Sequence, residues 1–175
     1  MAEKSGRNVL VAIDQSTSAF TALDRALAML GDEDHLYILS VALDGGNHMV
    51  VAPYLTNTMW ESVREKVHSE AKNSLCRAGR ICLERGFEKP RFTLAISNAN
   101  HAGEAICDYA KEHHIDHVIM GRRGMSTLQR VVMGSTSKYV MENCNADVTI
   151  CKPPQTDSKA QTGFRSEHQK VEMEE

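Results

Sequence analysis

The chain has 175 residues, a net charge of -3, and 42% hydrophobic and 25% charged residues, enough for one globular domain with its own core. Without a basic run or face, that balance argues against a general nucleic-acid binder, and no apolar stretch reaches the ~20 residues a membrane-spanning helix needs. The opening residues, MAEKSGRN, place no apolar segment after a basic one, so no secretory signal and a cytoplasmic setting are expected. The five cysteines (Cys76, Cys82, Cys107, Cys144, Cys151) lie apart with no C-x2-C pair. That pattern suits reduced thiols serving as small hydrophobes better than disulfides, zinc ligands or redox sensors.

In chain order, the apolar run Asn8–Ile13 reads as a buried strand, and the Asp14–Ser18 segment after it supplies helix-capping side chains. A helix over 17–30 follows, with Phe20, Leu23, Ala26, Leu27 and Leu30 at helical spacing, stopping near Gly31. His35–Leu43 is a second apolar strand, a continuous run of the kind buried on both faces of a parallel sheet. After a glycine-containing loop over 44–53, a helix starts near Thr56. Trp60, Val63, Val67, Ala71, Leu75, Ala78 and Cys82 form its apolar stripe, and it ends at Gly86. Phe92–Ile96 reads as the third strand, a helix begins at Asn98 with Ala105, Ile106, Tyr109 and Ala110 inward, and Val118–Met120 is the fourth strand. A helix over 135–143 and a short strand, Asp147–Cys151, complete the pattern. Strict strand–helix alternation predicts a single-domain α/β fold, an open parallel sheet with helices on both faces and right-handed crossovers. Residues 1–7 read as an N-terminal extension. Residues 153–175, polar with Phe164 as their one aromatic, read as a disordered tail that cannot bury enough surface to order itself.

The stretch from His117 to Val140 carries the chemistry. Gly121 and Gly124 bracket two arginines at a strand end, and Gly134-Ser135-Thr136 opens a helix, giving G-x2-G-x9-G-[ST]. Glycines let the backbone turn and approach a ligand closely, and a helix start with hydroxyls and unpaired N–H groups favours an anion. Asp14, at the end of the first strand, suits both helix capping and ligand contact. No G-x4-G-K-[ST], no G-x-G-x2-G after the first strand and no G-x-S-x-G occurs, which argues against P-loop, dinucleotide-binding and esterase chemistry. His113, His114 and His117 straddle a helix–strand junction and read as solvated rather than as metal ligands.

This glycine spacing resembles the ATP-binding motif of the universal stress protein family, and the likeness extends from Asn8 to about Lys152 in the order and length of elements. The resemblance implies a universal stress protein domain over 8–152 and a Rossmann-like fold of the adenine nucleotide alpha hydrolase-like type. It also implies five strands in the order 3-2-1-4-5. It implies contact of Ala12, Ile13, Asp14 and Val41 with the adenosine side of ATP. Met120, Gly121, Arg123 and Gly124 match the family's ribose and phosphate loop, and Gly134, Ser135 and Thr136 match its phosphate-binding helix start. The family's dimers form through the last strand, which implies a homodimer with Val148 and Ile150 at its centre. Arg122 departs from the small residue usual at its position, and its guanidinium suits either a phosphate or solvent. Lys138, one turn into the helix, is expected in solvent.

The leading expectation is therefore an ATP-binding, homodimeric regulatory protein of the stress response, in which ATP selects a protein partner. No side chain near the glycine loop reads as a catalytic base, so an enzyme is not expected. A Mg²⁺ ion bridging the phosphates fits, because that ion keeps most of its ligands as water and phosphate. The two competing readings are a slow ATPase using Arg123 and Ser135, and an interaction module with an empty pocket and a working tail.

Overall fold

The computed structural model describes residues 6–43, 57–87, 90–122 and 133–152. Arg123, Gly124, the 44–53 loop and the 153–175 tail lie outside the described residues, as does the side chain of Trp60. The elements are β1 (Asn8–Ala12), α1 (Thr17–Met29), β2 (His35–Leu43), α2 (Asn57–Glu84), β3 (Phe92–Ala99), α3 (Ala102–Glu112), β4 (His117–Gly121), α4 (Ser135–Asn143) and β5 (Asp147–Cys151). All strand pairs are parallel and the order is β3-β2-β1-β4-β5, as the resemblance implied. No described helix is long and apolar enough to cross a membrane.

The period-two alternation of the strands sorts the core into two layers. Val9, Val11, Leu36, Ile38 and Ile119 pack under α1 and the second half of α2, with Leu23, Leu75 and Cys82. Leu10, Leu39, Val118 and Met120 face the opposite way, against Ile106 and Ala110 of α3 and Val140 of α4. Helix α1 starts where Ser16 accepts a hydrogen bond from the Ala19 N–H at 3.2 Å. Helix α2 stops at Glu84 and is closed off by Gly86, whose φ of +80° lets Phe87 N–H reach the Cys82 carbonyl (2.9 Å) and Gly86 N–H the Leu83 carbonyl (3.0 Å).

Several expectations need correction. Strand β3 does not stop at Ile96. It runs to Ala99 because it stays in register with β2 through Leu43↔Ala99, so Asn98 is a strand residue and α3 starts four residues later, at Ala102. The stripe of α2 is a core face only in its second half: Ala71, Leu75, Ala78 and Cys82 are buried, whereas Val63 is 42% exposed. At 1.5 Å per residue α2 is about 42 Å long, against roughly 30 Å for β2, so its first turns outrun the sheet. Lastly, Cys76 is exposed on the outer face of α2 rather than packed. Burial pushes the Cys82 thiol up to about 11, and burial and then the neighbouring Cys144 push that of Cys107 up to about 12. Neither is a thiolate near neutral pH.

The three histidines at the α3–β4 junction have separate roles. His113 stacks with Tyr109 at a centroid distance of 4.0 Å, and His114 takes a φ of +49° just after the helix. His117 Nε2 hydrogen-bonds Thr149 Oγ1 at 2.7 Å. His113 and His117 are half-buried and only His114 is exposed, which corrects the solvated reading for two of them. No group able to hold a metal ion occurs among the described residues.

Candidate functional site

The strands end unevenly, and the cleft follows from that. β1 pairs with β2 only as far as Ala12↔Leu39, while β2 and β3 continue together to Leu43 and Ala99. His35 N–H bonds Arg7 of the β1 side (2.9 Å), Leu36 N–H bonds Arg91 of the β3 side (3.0 Å), and the Leu39 carbonyl accepts from Ile13 N–H (2.8 Å). Odd-numbered residues of β2 thus bond toward β1 and even-numbered ones toward β3. Val41 is the next odd residue, and its N–H and C=O face the gap where β1 has already turned away. The result is a donor and an acceptor side by side at a strand end, able to read the edge of a planar ring.

A cleft of about 530 Å³ opens at this point, within the usual range for a small-molecule site. Ala12, Ile13 and Asp14 line it from the end of β1, and Val41 from β2. Met120 and Gly121 line it from β4, and Gly134, Ser135 and Thr136 from the start of α4. Every sequence-predicted ligand residue that the structure describes therefore borders one cavity, at the carboxyl ends of the strands where the order reverses across β1 and β4.

Asp14 serves its helix first. Its Oδ1 accepts from the Ser16 N–H (2.9 Å) and from the Ser16 hydroxyl, while Oδ2 has no partner among the described residues. The far end of the cleft is an anion cradle in form. Gly134 is the N-cap of α4 and offers no side-chain cap. Its N–H is taken by the Arg122 carbonyl at 3.3 Å, which clamps the two ends of the glycine loop together. The following N–H groups, of Ser135, Thr136 and Ser137, have no acceptor among the described residues, and the helix dipole adds positive potential there. Arg122 Nε is buried and without an acceptor among the described residues. Lys138 stays in solvent, 3.9 Å from Glu142.

The two described glycines of the motif differ in what requires them. A Cβ on Gly121 would stand 2.6 Å from the Ser18 carbonyl carbon and 2.8 Å from Ala19 N, so its bareness admits the backbone of α1 rather than a ligand. A Cβ on Gly134 would meet only the Arg122 carbonyl oxygen at 3.6 Å, so here the space left bare belongs to the cleft.

Several lining residues escaped the sequence reading. Ser137, 3% exposed, donates its hydroxyl to the Gly121 carbonyl at 3.2 Å and fixes the start of α4 to the end of β4. Val63, Val67, Glu70, Ala71 and Ser74 of α2 form a wall over the cleft. Ser40 lines it from β2. A serine inside the otherwise apolar run HLYILSVAL was the visible signal for that last one. At the opposite edge of the sheet, Asp147 N–H bonds Asp116 and the Cys151 carbonyl accepts from Arg122, so the odd residues of β5 bond toward β4. The N–H and C=O of Val148 and Ile150 point outward, although their side chains are part-buried against the α3–α4 layer.

A sequence profile of the universal stress protein family matches residues 6–152. The chain is 30% identical over 150 residues to universal stress protein YxiE of Bacillus subtilis, covering 82% of this chain and 97% of that one. It superposes on the structure of universal stress protein UspA from Lactobacillus plantarum with a TM-score of 0.67 at 25% identity, covering 83% and 97% of the two chains. It shares its fold with an Arabidopsis thaliana universal stress protein family protein with AMP bound, at a TM-score of 0.59 and 15% identity, covering 89% and 97%. The uneven strand ends, the helix-start cradle and the glycine spacing thus sit in a chain that belongs to the universal stress protein family.

Proposed function

We propose that this protein binds an adenine nucleotide, ATP in the first place, and acts as a regulatory protein rather than as an enzyme. The observation that carries the reading is that one cleft joins two unlike ends. At one end the Val41 N–H and C=O present the acceptor–donor complement of an adenine edge. At the other, the first turn of α4 presents unpaired N–H groups and hydroxyls suited to phosphates. The AMP bound to the Arabidopsis relative is in keeping with this. Arg123 and Gly124, in the loop clamped by Arg122 and Gly134, would complete the phosphate side, with Mg²⁺ held by phosphate oxygens and water.

Binding without turnover fits the acids available. Among the described residues, Asp14 and Glu70 are the carboxylates lining the cleft, and one oxygen of Asp14 is already engaged by Ser16. In-line phosphoryl transfer needs a positioned nucleophile and commonly a protein-held metal. The outward backbone groups of Val148 and Ile150 favour a two-fold homodimer through β5, because edge pairing would satisfy them. In this reading the dimer would act as a nucleotide-dependent switch on a protein partner in a cytoplasmic stress response.

The test is to heat-denature the purified protein and identify the released small molecule by mass spectrometry, alongside ATP titration and light scattering of the native protein. ATP released intact, and a mass twice that of the chain, are the expected results. ADP or AMP accumulating from added ATP would overturn the non-enzymatic reading. No release and no binding of ATP with Mg²⁺ would overturn the nucleotide reading.

A further inference from the structure

The wall that α2 adds to the cleft is polar at one place, and nothing in the backbone recognition above uses it. Ser40 is 3% exposed and lines the cleft, yet its hydroxyl has no hydrogen-bond partner among the described residues. Its neighbours Leu39 and Val41 pack toward the α3–α4 layer, so strand alternation turns Ser40 to the α2 side. There α2 presents Glu70 and Ser74 to the same cleft. Ser74 is 4% exposed and already donates its proton to the Glu70 carbonyl at 3.0 Å, leaving its lone pairs as acceptors. The Glu70 carboxylate is an acceptor in either orientation. A hydroxyl that opens into the cleft without a partner among the described residues is free to accept from a ligand donor.

From this we infer that Ser40, Ser74 and Glu70 form a subsite that reads the exocyclic amine of the bound base and adds to the preference for adenine over 6-oxo purines that the Val41 backbone begins. The inference rests on the nucleotide reading above. The amine of adenine carries two N–H donors. The Val41 carbonyl, adjacent to Ser40 in the chain, takes one of them, and the acceptors beneath α2 take the other. A 6-oxo purine presents an acceptor at the same point and meets the Glu70 carboxylate and the Ser74 lone pairs with repulsion.

The experiment compares the affinities of ATP, ITP and purine riboside triphosphate, which lacks the amine, for the wild-type protein and for Ser40→Ala and Glu70→Ala, by calorimetry. The wild type is expected to favour ATP over both analogues by about tenfold or more, the worth of a charge-assisted hydrogen bond. Each variant is expected to lose at least about threefold of that preference through weaker ATP binding, with purine riboside triphosphate binding unchanged. Glu70 sits half-buried on a helix, so Glu70→Ala keeps the test available if Ser40→Ala disturbs β2. If ATP binds the wild type and the preference is the same in both variants, Ser40 is only a small spacer under α2 and the subsite is overturned while the nucleotide reading stands. If the wild type binds none of the three, the nucleotide reading fails and the subsite with it.

Discussion

Replacing Gly121 by alanine should damage the fold, whereas the same change at Gly134 should damage only the cleft. At Gly121 the added Cβ would lie 2.6 Å from the Ser18 carbonyl carbon, 2.8 Å from Ala19 N and 2.8 Å from the Ser18 carbonyl oxygen. These are backbone atoms in the first turn of α1, so no side-chain rotation relieves them, and ordinary contact lies at roughly 3.5–4.0 Å. Helix α1 or the end of β4 must retreat by about 1 Å, and α1 carries the fully buried Ala22, Leu23 and Ala26 into the core. Overpacking of this kind costs about 1–3 kcal/mol. With a urea slope of about 1–3 kcal/mol per molar, the unfolding midpoint should fall by roughly 1 M. Gly134 has a φ of -64° and only the 3.6 Å contact, so Gly134→Ala should keep its stability within about 0.5 kcal/mol of the wild type and lose nucleotide affinity. Equal midpoints for the two variants in urea denaturation would refute the division of roles between these glycines.

Two further outcomes are expected. Asp34, 8% exposed, accepts from Arg7 N–H (2.8 Å), Arg7 Nη2 (2.6 Å) and Gly31 N–H (2.9 Å), and the Arg7 guanidinium holds its carboxyl well below the usual carboxylate range. A depressed folded value means that this stabilisation is complete above the unfolded carboxylate value near 4 and is lost as pH falls below it. Asp34→Ala should therefore cost about 2 kcal/mol at pH 7, with the gap to the wild type narrowing below about pH 4 in denaturant titrations. A gap that stays constant with pH would contradict the assignment. His114, exposed at a φ of +49°, carries the left-handed penalty of an L side chain, so His114→Gly should raise stability by up to about 1 kcal/mol in thermal melts. A fall in melting temperature would count against that reading.

Alternation of apolar runs and helical stripes was enough to determine the class of fold, because burying both faces of a parallel strand leaves a continuous apolar signature that β1, β2 and β4 all carry. The spacing of Gly121, Gly124 and Gly134, with Asp14, was equally local, since turn and cap chemistry is written within a few residues of chain. The order of the strands was not written that way. It came from family resemblance, as composition leaves the neighbours of a strand open. Only the tertiary structure decided that β1 stops at Ala12 while β2 continues, which is what frees the Val41 backbone. It likewise decided that the apolar stripe of α2 is core at Leu75 and cleft wall at Val63, because a stripe records which face is apolar but not how far the partner sheet extends to cover it. Gly121 and Ser40 make the same point from opposite sides. The bare glycine accommodates the α1 backbone, and the solitary serine opens into the cleft, because what surrounds a side chain is set by elements distant in sequence.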